Sequence, residues 1–202
     1  MTDKTVIHVV DDDAAMRDSL AFLLDVNGFQ SKTHDSANAF LAAVARDVPR
    51  CVVCDIRMPG MNGIELVREL RRKGTACPVI LITGHGDVAL AVEAMKAGAV
   101  DFIEKPFDDA VLIGAIRAAL DAHSSGQGDS VARKEAEARL ADLSPRERDV
   151  LQGLVAGKIN KVIAHELNIS PRTVEVYRAN LMAKTAARSM SELMRIALAA
   201  GL

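Results

Sequence analysis

The sequence predicts a doubly wound α/β domain, built on a five-stranded parallel sheet, followed by an all-α domain. Five short segments that look like strands alternate with helical patterns across residues 1–123. A small, polar stretch with glycines, HSSGQGDS, spans residues 123–130, and the sequence beyond it is punctuated as helices alone. Strict alternation of strands and helices is typical of a parallel sheet with helices on both faces.

Five segments are predicted strands: TVIHVV (5–10), FQSKT (29–33), CVVCD (51–55), VILIT (79–83) and VDFIE (100–104). The third and fourth are almost wholly apolar, which favours central positions in a sheet that is covered on both faces. Between the strands, apolar residues recur at helical spacing, as in residues 16–24, and glycines such as Gly28 follow as stop signals. Ser36 and Asp108 are the expected N-caps of the second and fifth helices.

Length and composition indicate a protein with a buried core and argue against a membrane protein. The chain has 202 residues, half of them hydrophobic, so it can bury a sizeable core. No apolar run reaches the roughly 18 residues of a membrane span, and the N-terminus is unlike a signal peptide, so we expect a cytoplasmic protein with no membrane partner. Cys51 and Cys54 form a C-x-x-C inside a predicted strand, which favours buried thiols over a redox pair or a zinc site.

Charge divides the chain into two parts. Residues 1–123 carry 13 Lys and Arg against 18 Asp and Glu, whereas residues 124–202 carry 12 against 9. The first part is therefore acidic and the second weakly basic, which suggests different partners for the two. We expect domains at 1–123 and 140–202, with residues 124–139 as a linker that is partly helical.

Polar side chains follow four of the predicted strands. Asp11, Asp12 and Asp13 come after the first strand, and Asp55, Thr83 and Lys105 stand at the ends of the third, fourth and fifth. Ligands of open α/β sheets bind beyond the carboxyl ends of the strands, so these groups should meet at one edge. A single aspartate in such a place is more often a helix cap or a loop residue, but four matching strand ends favour a site.

The chemistry of these groups favours phosphoryl transfer. Close carboxylates repel unless a cation joins them, and oxygen donors of this kind suit Mg²⁺. Asp55 is the predicted nucleophile, which would form an aspartyl phosphate, while Asp11 and Asp12 would hold the metal ion. The Lys105 ammonium and the Thr83 hydroxyl would then bind phosphoryl oxygens.

The segments VVDDD, CDIRMPGMNG, ITGHGD and DFIEKPF resemble the motifs of the receiver domain of two-component response regulators, in order and over residues 1–123. The resemblance implies a flavodoxin-like sheet of strand order 2-1-3-4-5. It implies Asp55 as the phospho-acceptor and Asp13 as an outer-shell acid. It also implies a metal site made by Asp11, Asp12, Asp55 and the backbone carbonyl of Arg57, and a cis peptide between Lys105 and Pro106.

The same resemblance implies how a receiver switches. Thr83 and Phe102 would be the coupled switch pair, although Phe102 without the family is an ordinary sheet residue. The shift would remodel the face of helix 4 and strand 5, where phosphorylated chains would dimerise through Val88, Val92, Met95 and Phe102. Arg57 and His85 flank the site and would tune hydrolysis of the phosphate.

In the second part, helix start and stop signals predict four helices, two of which form a helix-turn-helix. Its start signals are the capping boxes of Ser144 with Glu147 and of Ser189 with Glu192, the N-caps Asn160 and Ser170, and the first-turn residues Pro145 and Pro171. NIS makes the turn, and Ala164 is small enough for close helix packing. On spacing alone, a generic helix bundle is an equal alternative.

The third of these helices has an inward and an outward face. Val174, Tyr177 and Leu181 follow helical spacing and should point inward. The outward face, which would enter a major groove, consists of Arg172, Glu175, Val176, Ala179 and Asn180. The residues placed to neutralise DNA phosphates are Lys161, Arg178 and Lys184.

LSPRERDVL and GKINKVIAHELNISPRTVEVYRANLMAK resemble the LuxR-type DNA-binding domain, over about residues 140–202. Together with a receiver this is the arrangement of the NarL/FixJ class of response regulators, although Tyr177 and Glu175 replace a frequent histidine and a frequent lysine. The resemblance implies a transcriptional activator of nitrogen fixation, with a FixL-like histidine kinase, promoter DNA, RNA polymerase and a second copy of the chain as partners.

Two other functions compete with this interpretation. A metal-dependent phosphohydrolase of the haloacid-dehalogenase type would also use an aspartyl intermediate, but it needs a second acid two residues after the nucleophile, where this chain has Arg57. We therefore expect a regulator and not an enzyme. The C-terminal helices could alternatively be a protein-interaction module, which DNA-binding measurements would distinguish.

Overall fold

A computed structural model describes residues 5–44, 48–84, 88–125 and 129–202, without the side chains of residues 88, 124, 125 and 129–132. The chain forms two compact units. Within the described residues, the N-terminal unit comprises residues 5–84 and 96–125 and is built on a sheet. The C-terminal unit comprises residues 88–95 and 129–202 and is helical, so the predicted fold classes are both confirmed.

The sheet has five parallel strands in the order β2-β1-β3-β4-β5. The bounds are β1 Val6–Val10, β2 Gln30–His34, β3 Val52–Asp55, β4 Val79–Thr83 and β5 Asp101–Glu104. Each strand begins and ends within one residue of its prediction. Every residue of β3 and β4 is buried, as their apolar sequences predict for strands with both faces covered.

Helices connect the strands along the chain, and residues of α1 and α5 pack against the sheet. They are α1 Ala14–Val26, α2 Ala37–Ala43, α3 Gly63–Arg72, α4 Val88–Ala97 and α5 Asp109–Ser125. Ser36 caps α2 as predicted, and Asn62 forms a capping box with Glu65 at the start of α3. Asp13 caps α1 by accepting the N–H of Ala15 at 2.9 Å, so its carboxylate supports the first helix of the domain.

A buried hydrophobic cluster lies between the sheet and the helices α1 and α5. Its members include Ile7, Val9, Leu20, Leu24, Cys51, Val53, Ile80, Ile82, Ile103, Leu112 and Ile116. Cys51 and Cys54 are fully buried free thiols, as predicted. Burial raises the pKa of Cys51 to about 12, and it raises the pKa of Cys54 as well. Both thiols are therefore poor nucleophiles.

Two imidazoles are stacked near the edge of the sheet. The ring of His8 on β1 lies 5.2 Å from that of His34 on β2, and their Nδ1 and Nε2 atoms are 2.9 Å apart. The ring of Phe40 meets both edge-on. Burial, with help from the charge of neighbouring His34 and Lys32, lowers the pKa of His8 from 6.5 to about 4.

Helix α3 begins in direct contact with the end of β3. A Cβ atom placed on Gly63 would lie 2.5 Å from the carbonyl oxygen of Asp55, well inside van der Waals contact. The N–H of Gly63 also donates to the carbonyl of Ile56 at 3.0 Å. Residue 63 must therefore lack a side chain for α3 to pack where it does, and this contact fixes the backbone around Asp55.

The C-terminal unit contains the helices α6 Asp129–Leu140, α7 Pro145–Val155, α8 Asn160–Leu167, α9 Pro171–Thr185 and α10 Met190–Ala199. The predicted capping box of Ser144 and Glu147 starts α7, and Ser170 caps α9. In the described part of the chain, no helix is both long and apolar enough to span a membrane.

Two predicted caps are wrong in detail. Asn160 is the first residue of α8 and not its cap, because its amide oxygen accepts a hydrogen bond from Arg178 at 3.3 Å. Ser189 does cap α10, but the Glu192 carboxylate accepts the N–H of Arg188 and completes no capping box. In both cases a donor other than the predicted one binds the side chain: Arg178 of α9 at Asn160, and Arg188, the residue before Ser189, at Glu192.

We predict that the N-terminal unit loses stability as the pH falls from about 6.5 towards 4. The folded protein resists protonation of His8, whereas the unfolded chain does not, so the stabilisation is complete above pH 6.5 and is lost as His8 is forced to protonate. The pKa shift corresponds to a loss on the order of 2 kcal/mol between pH 7 and pH 4. Urea unfolding of the full chain, followed by circular dichroism, measures it.

His8→Gln should show a smaller decrease in stability than the wild type over this pH range, because glutamine does not titrate. His165→Gln is the matched control, since His165 is exposed on α8. Equal pH dependence in His8→Gln and the wild type would contradict the assignment.

Gly63→Ala should destabilise the chain by about 1–3 kcal/mol, because the new methyl group would overlap the Asp55 carbonyl. Gly114→Ala is the control: no atom lies within 4 Å of its added Cβ, and it sits inside α5. That change should stabilise by about 0.5–1 kcal/mol. Denaturant unfolding of the two variants compares them, and an unchanged stability in Gly63→Ala would show that the contact relaxes freely.

Candidate functional site

The carboxyl ends of four strands bring together the predicted groups. Asp11 follows β1, Asp55 ends β3, Thr83 ends β4, and Lys105 follows β5. The Lys105 Nζ donates to Asp55 Oδ1 at 2.7 Å and to Asp11 Oδ2 at 3.2 Å. One ammonium therefore joins two carboxylates that stand 44 positions apart in the sequence.

Asp11 is held at all three of its oxygen atoms. Its Oδ1 accepts the N–H of Asp13 at 2.9 Å, its Oδ2 accepts Lys105, and its carbonyl accepts Arg17 Nη1 at 2.7 Å. Burial raises the pKa of Asp11, although the Asp13 N–H and the Lys105 charge oppose that effect. The buried carboxylate thus requires cationic or N–H partners in order to stay ionised.

Asp55 is 8% exposed and has a donor on each carboxylate oxygen. Besides Lys105 on Oδ1, the backbone N–H of Arg57 donates to Oδ2 at 2.6 Å. Burial works to lower the pKa of Lys105, but the Asp55 and Asp11 carboxylates outweigh it and raise that pKa. Lys105 is therefore a fixed positive charge beside Asp55 at neutral pH.

The donor chemistry of this pocket fits a hard cation. Asp11 and Asp55 direct carboxylate oxygens at the same cationic group, while Asp12 is exposed one residue further on. Across the described ranges, no group of three or more His, Cys, Asp or Glu residues lies in a metal-binding arrangement. Two converging carboxylates suit Mg²⁺, because that ion keeps several water ligands.

Thr83 and Phe102 lie on the same face of the sheet. Leu81 pairs with Phe102, and side chains alternate along a strand, so Thr83 is on the face that Phe102 shares. Thr83 is fully buried and Phe102 is 8% exposed. The predicted cis peptide between Lys105 and Pro106 is present.

The predicted dimer face is only partly described. Val92, Met95 and Phe102 are buried in the single chain, while the side chain of Val88 and all of His85 lie outside the described residues. The dimer face therefore remains a prediction.

An apolar groove beside the pocket was missed in the sequence. Its volume is about 920 Å³, and its lining includes Phe22, Leu23, Val26, Lys105, Pro106 and Phe107. Phe22 is 74% exposed and Val26 is 66% exposed. The sequence could have indicated this groove, because Phe22 and Val26 are apolar but lie outside the helical stripe of Leu20 and Leu24 that faces the core.

In the C-terminal unit, α8 and α9 form the predicted helix-turn-helix. Asn168 ends α8 in the left-handed conformation, with φ 55°. Ile163, Ala164, Val174 and Leu181 are buried, and Tyr177 is half-buried. The inward face of α9 is therefore placed as predicted.

The other face of α9 is exposed along its length. The exposed residues of α9 include the five predicted ones, Arg172, Glu175, Val176, Ala179 and Asn180. Val176 is a 55% exposed apolar side chain between polar neighbours. A mixed polar and apolar exposed helix face has the chemistry needed to contact base edges in a major groove.

The three predicted phosphate contacts differ in their surroundings. Lys161 is exposed. Arg178 is half-buried and donates to Asn160, and Lys184 pairs with the buried carboxylate of Glu147 at 2.7 Å. Arg178 and Lys184 therefore also connect helices, which the sequence pattern did not reveal.

Comparisons with known proteins agree with this architecture. A model of the response regulator receiver domain matches residues 7–117, and a model of bacterial regulatory proteins of the luxR family matches residues 141–197. The transcriptional regulatory protein FixJ of Bradyrhizobium diazoefficiens is 55% identical over 100% of this chain and 98% of its own. FixJ of Rhizobium meliloti is 56% identical over the same shares, 100% and 98%.

A crystal structure of full-length FixJ from B. japonicum covers 99% of this chain and 98% of its own, at 53% identity and a TM-score of 0.59. The relatives match along the whole chain, and the two family models match its two parts. The chain belongs to the two-component response regulators, as a receiver domain joined to a luxR-type DNA-binding domain, and it acts as a transcription factor.

Proposed function

We propose that Asp55 is the phospho-acceptor of this regulator. The observation that carries the proposal is the pair of hydrogen bonds to its carboxylate, from Lys105 Nζ at 2.7 Å and from the Arg57 N–H at 2.6 Å. Both donors lie where negative charge increases when a phosphoryl group arrives, so they would stabilise the product as well as the free carboxylate.

The reaction transfers a phosphoryl group from a histidine of a kinase. A carboxylate oxygen of Asp55 forms the new O–P bond as the P–N bond to the histidine breaks, and the electron pair stays on the imidazole nitrogen, which takes up a proton from solvent. Lys105 then pairs with a phosphoryl oxygen. Thr83, at the end of the adjacent strand, would donate its hydroxyl to another.

Mg²⁺ would be held by Asp11, Asp12, Asp55 and the backbone carbonyl of Arg57. When bound, it offsets the like charges of the carboxylate and the phosphate. The bonds of Asp13 N–H and Arg17 to Asp11 orient this acid in advance. Because the Asp13 carboxylate caps α1, we propose that it stabilises the loop and does not contact the metal ion directly.

Phosphorylation would act through the populations of two conformations. Movement of Thr83 towards the phosphate would be coupled to Phe102, on the same face of the sheet. The face of α4 and β5 would then become available for a second copy, through Val88, Val92, Met95 and Phe102. A dimer would place two α9 helices in DNA half-sites about one helical turn apart.

The apolar groove supports a docking site for the cognate histidine kinase. A donor histidine has to come within bonding distance of Asp55, and the groove is next to that pocket, since Lys105 lines the groove and binds Asp55. The exposed side chains of Phe22 and Val26 offer apolar contact area next to the acidic pocket. We propose a FixL-like kinase, because the similar regulators carry the name FixJ.

The output would be activation of promoters, in the cytoplasm, through RNA polymerase. The relatives named FixJ support genes of nitrogen fixation as the targets. The exposed face of α9 and the basic residue Lys161 would make the DNA contacts. To bind a phosphate, Arg178 and Lys184 would either share their side chains with Asn160 and Glu147 or leave these partners. Glu175 would accept from a cytosine amine and repel phosphate.

Acetyl phosphate with Mg²⁺ should label the wild-type chain once, on Asp55, and should convert it from monomer to dimer. Asp55→Asn should stay unlabelled and monomeric, since the amide is not a nucleophile. Peptide mass mapping and sedimentation velocity measure the two effects. Asp18→Asn is the control, because Asp18 is an exposed residue of α1, and this variant should behave as the wild type. Label on another residue, or dimerisation of Asp55→Asn under these conditions, would refute the mechanism.

Phe22→Ser should slow phosphorylation by a FixL-like kinase by about tenfold, because it removes an exposed anchor from the groove. The rate with acetyl phosphate should not change, since that donor needs no docking surface. Val48→Ser, which alters an apolar residue that is 64% exposed outside the groove lining, is the control. If both donors slow equally, Phe22 supports the pocket and not the kinase contact.

DNA affinity should decrease steeply with salt, because bound lysines and arginines displace counterions. Lys161→Ala should reduce the slope of log affinity against log salt by about 0.9, the value for one phosphate contact. Random-sequence duplexes suffice for a shift assay, because this term does not depend on base sequence. Arg146→Ala on α7 is the control. Absence of binding at low salt would favour a protein-interaction module.

A further inference from the structure

Helix α6 is anchored in the DNA-binding unit. Its residues Ala136 and Leu140 are 5% and 3% exposed, and the helix packs against α10 and α9. The luxR-family match begins only at residue 141, after α6 ends. The chain therefore enters the DNA-binding unit through a packed helix that lies outside the matched family region.

A single arginine connects α6 to the end of the recognition helix α9. Arg139 Nε donates to the carbonyl of Thr185 at 2.8 Å, and Arg139 Nη2 donates to Glu192 Oε1 on α10 at 3.0 Å. Thr185 is the last residue of α9, where backbone carbonyls lack helical partners and a positive charge is favourable. The guanidinium thus binds three helices together at one point.

The end of α6 is fixed by a second arginine. Arg148 on α7 donates to the carbonyls of Leu140 at 2.8 Å, Ala141 at 3.2 Å and Leu143 at 3.3 Å. Backbone acceptors cannot rotate away as side chains can. The end of α6 is consequently held by α7, and Arg139 beside it is held against α9.

We infer that Arg139 is a positioning residue that couples the segment following the receiver to the recognition helix. The inference rests on the proposed control of DNA binding by phosphorylation. A displacement of α6 would reach the carboxyl end of α9 through Arg139, and α9 carries the exposed face for DNA. Loss of this connection should make the DNA affinities of the phosphorylated and unphosphorylated chains converge.

Arg133 offers a matched control on the same helix. Its side chain is 63% exposed, and its ion pair is with Glu137, one turn further along α6. Arg133→Ala removes an arginine and an ion pair of α6 without touching α9. Arg139→Lys is the second test variant, because lysine keeps the charge but lacks the planar fork that reaches Thr185 and Glu192 together.

The experiment measures the ratio of DNA affinities with and without acetyl phosphate, in the full-length chain, on a duplex selected from random sequences by the phosphorylated wild type. Arg139→Ala should lower this ratio by about fivefold, with Arg139→Lys in between and Arg133→Ala equal to wild type. Phosphorylation of Asp55 should remain complete in all variants. Circular dichroism at the assay temperature identifies any variant that is unfolded, in which case Arg139→Lys decides.

Equal weakening of both affinities, with an unchanged ratio, would overturn the inference and leave Arg139 as a stabilising residue only. A wild type without any phosphorylation dependence would instead overturn the proposed function, and the inference with it. The ratio in the wild type is therefore measured first, so that the two failures are distinguished.

Discussion

The ammonium of Lys105 between two buried carboxylates is the interaction on which the receiver pocket depends. Asp11 and Asp55 come from different strands, and both are largely removed from water. Two such acids would repel each other without a cation between them. The strand order brings the acids together, and Lys105, directly after β5, pairs with both. In the proposed reaction the same lysine would supply the charge that an incoming phosphoryl group requires.

The rest of the N-terminal unit holds these groups in place through backbone contacts. The N–H groups of Asp13 and Arg57 orient the two carboxylates, and Gly63 lets α3 approach the carbonyl of Asp55. Positions set by backbone atoms vary less than those set by long side chains. The pocket is therefore organised by backbone contacts, which is what the proposed transfer of a phosphoryl group to a weak nucleophile requires.

The sequence was sufficient for the architecture because periodicity and strand-end chemistry report on it directly. The strands were predicted to within one residue, and the pocket groups meet as the parallel topology requires. Long-range partners could not be predicted from local patterns. Asn160 resembles a cap but binds Arg178, and Lys184 resembles a phosphate contact but neutralises buried Glu147. Phe22 is apolar but lies outside the stripe of α1 that faces the core. Only the structure, which shows that its side chain is exposed, makes this position informative.

The hydrogen bond from residue 57 to Asp55 has a consequence for how such regulators diverge. The donor is a main-chain N–H, so any amino acid except proline can supply it. The exposed side chain of Arg57 is therefore not needed to orient the Asp55 carboxylate. Under the proposed function, a substitution at residue 57 would change how long the phosphate persists, while the orientation of Asp55 stays the same.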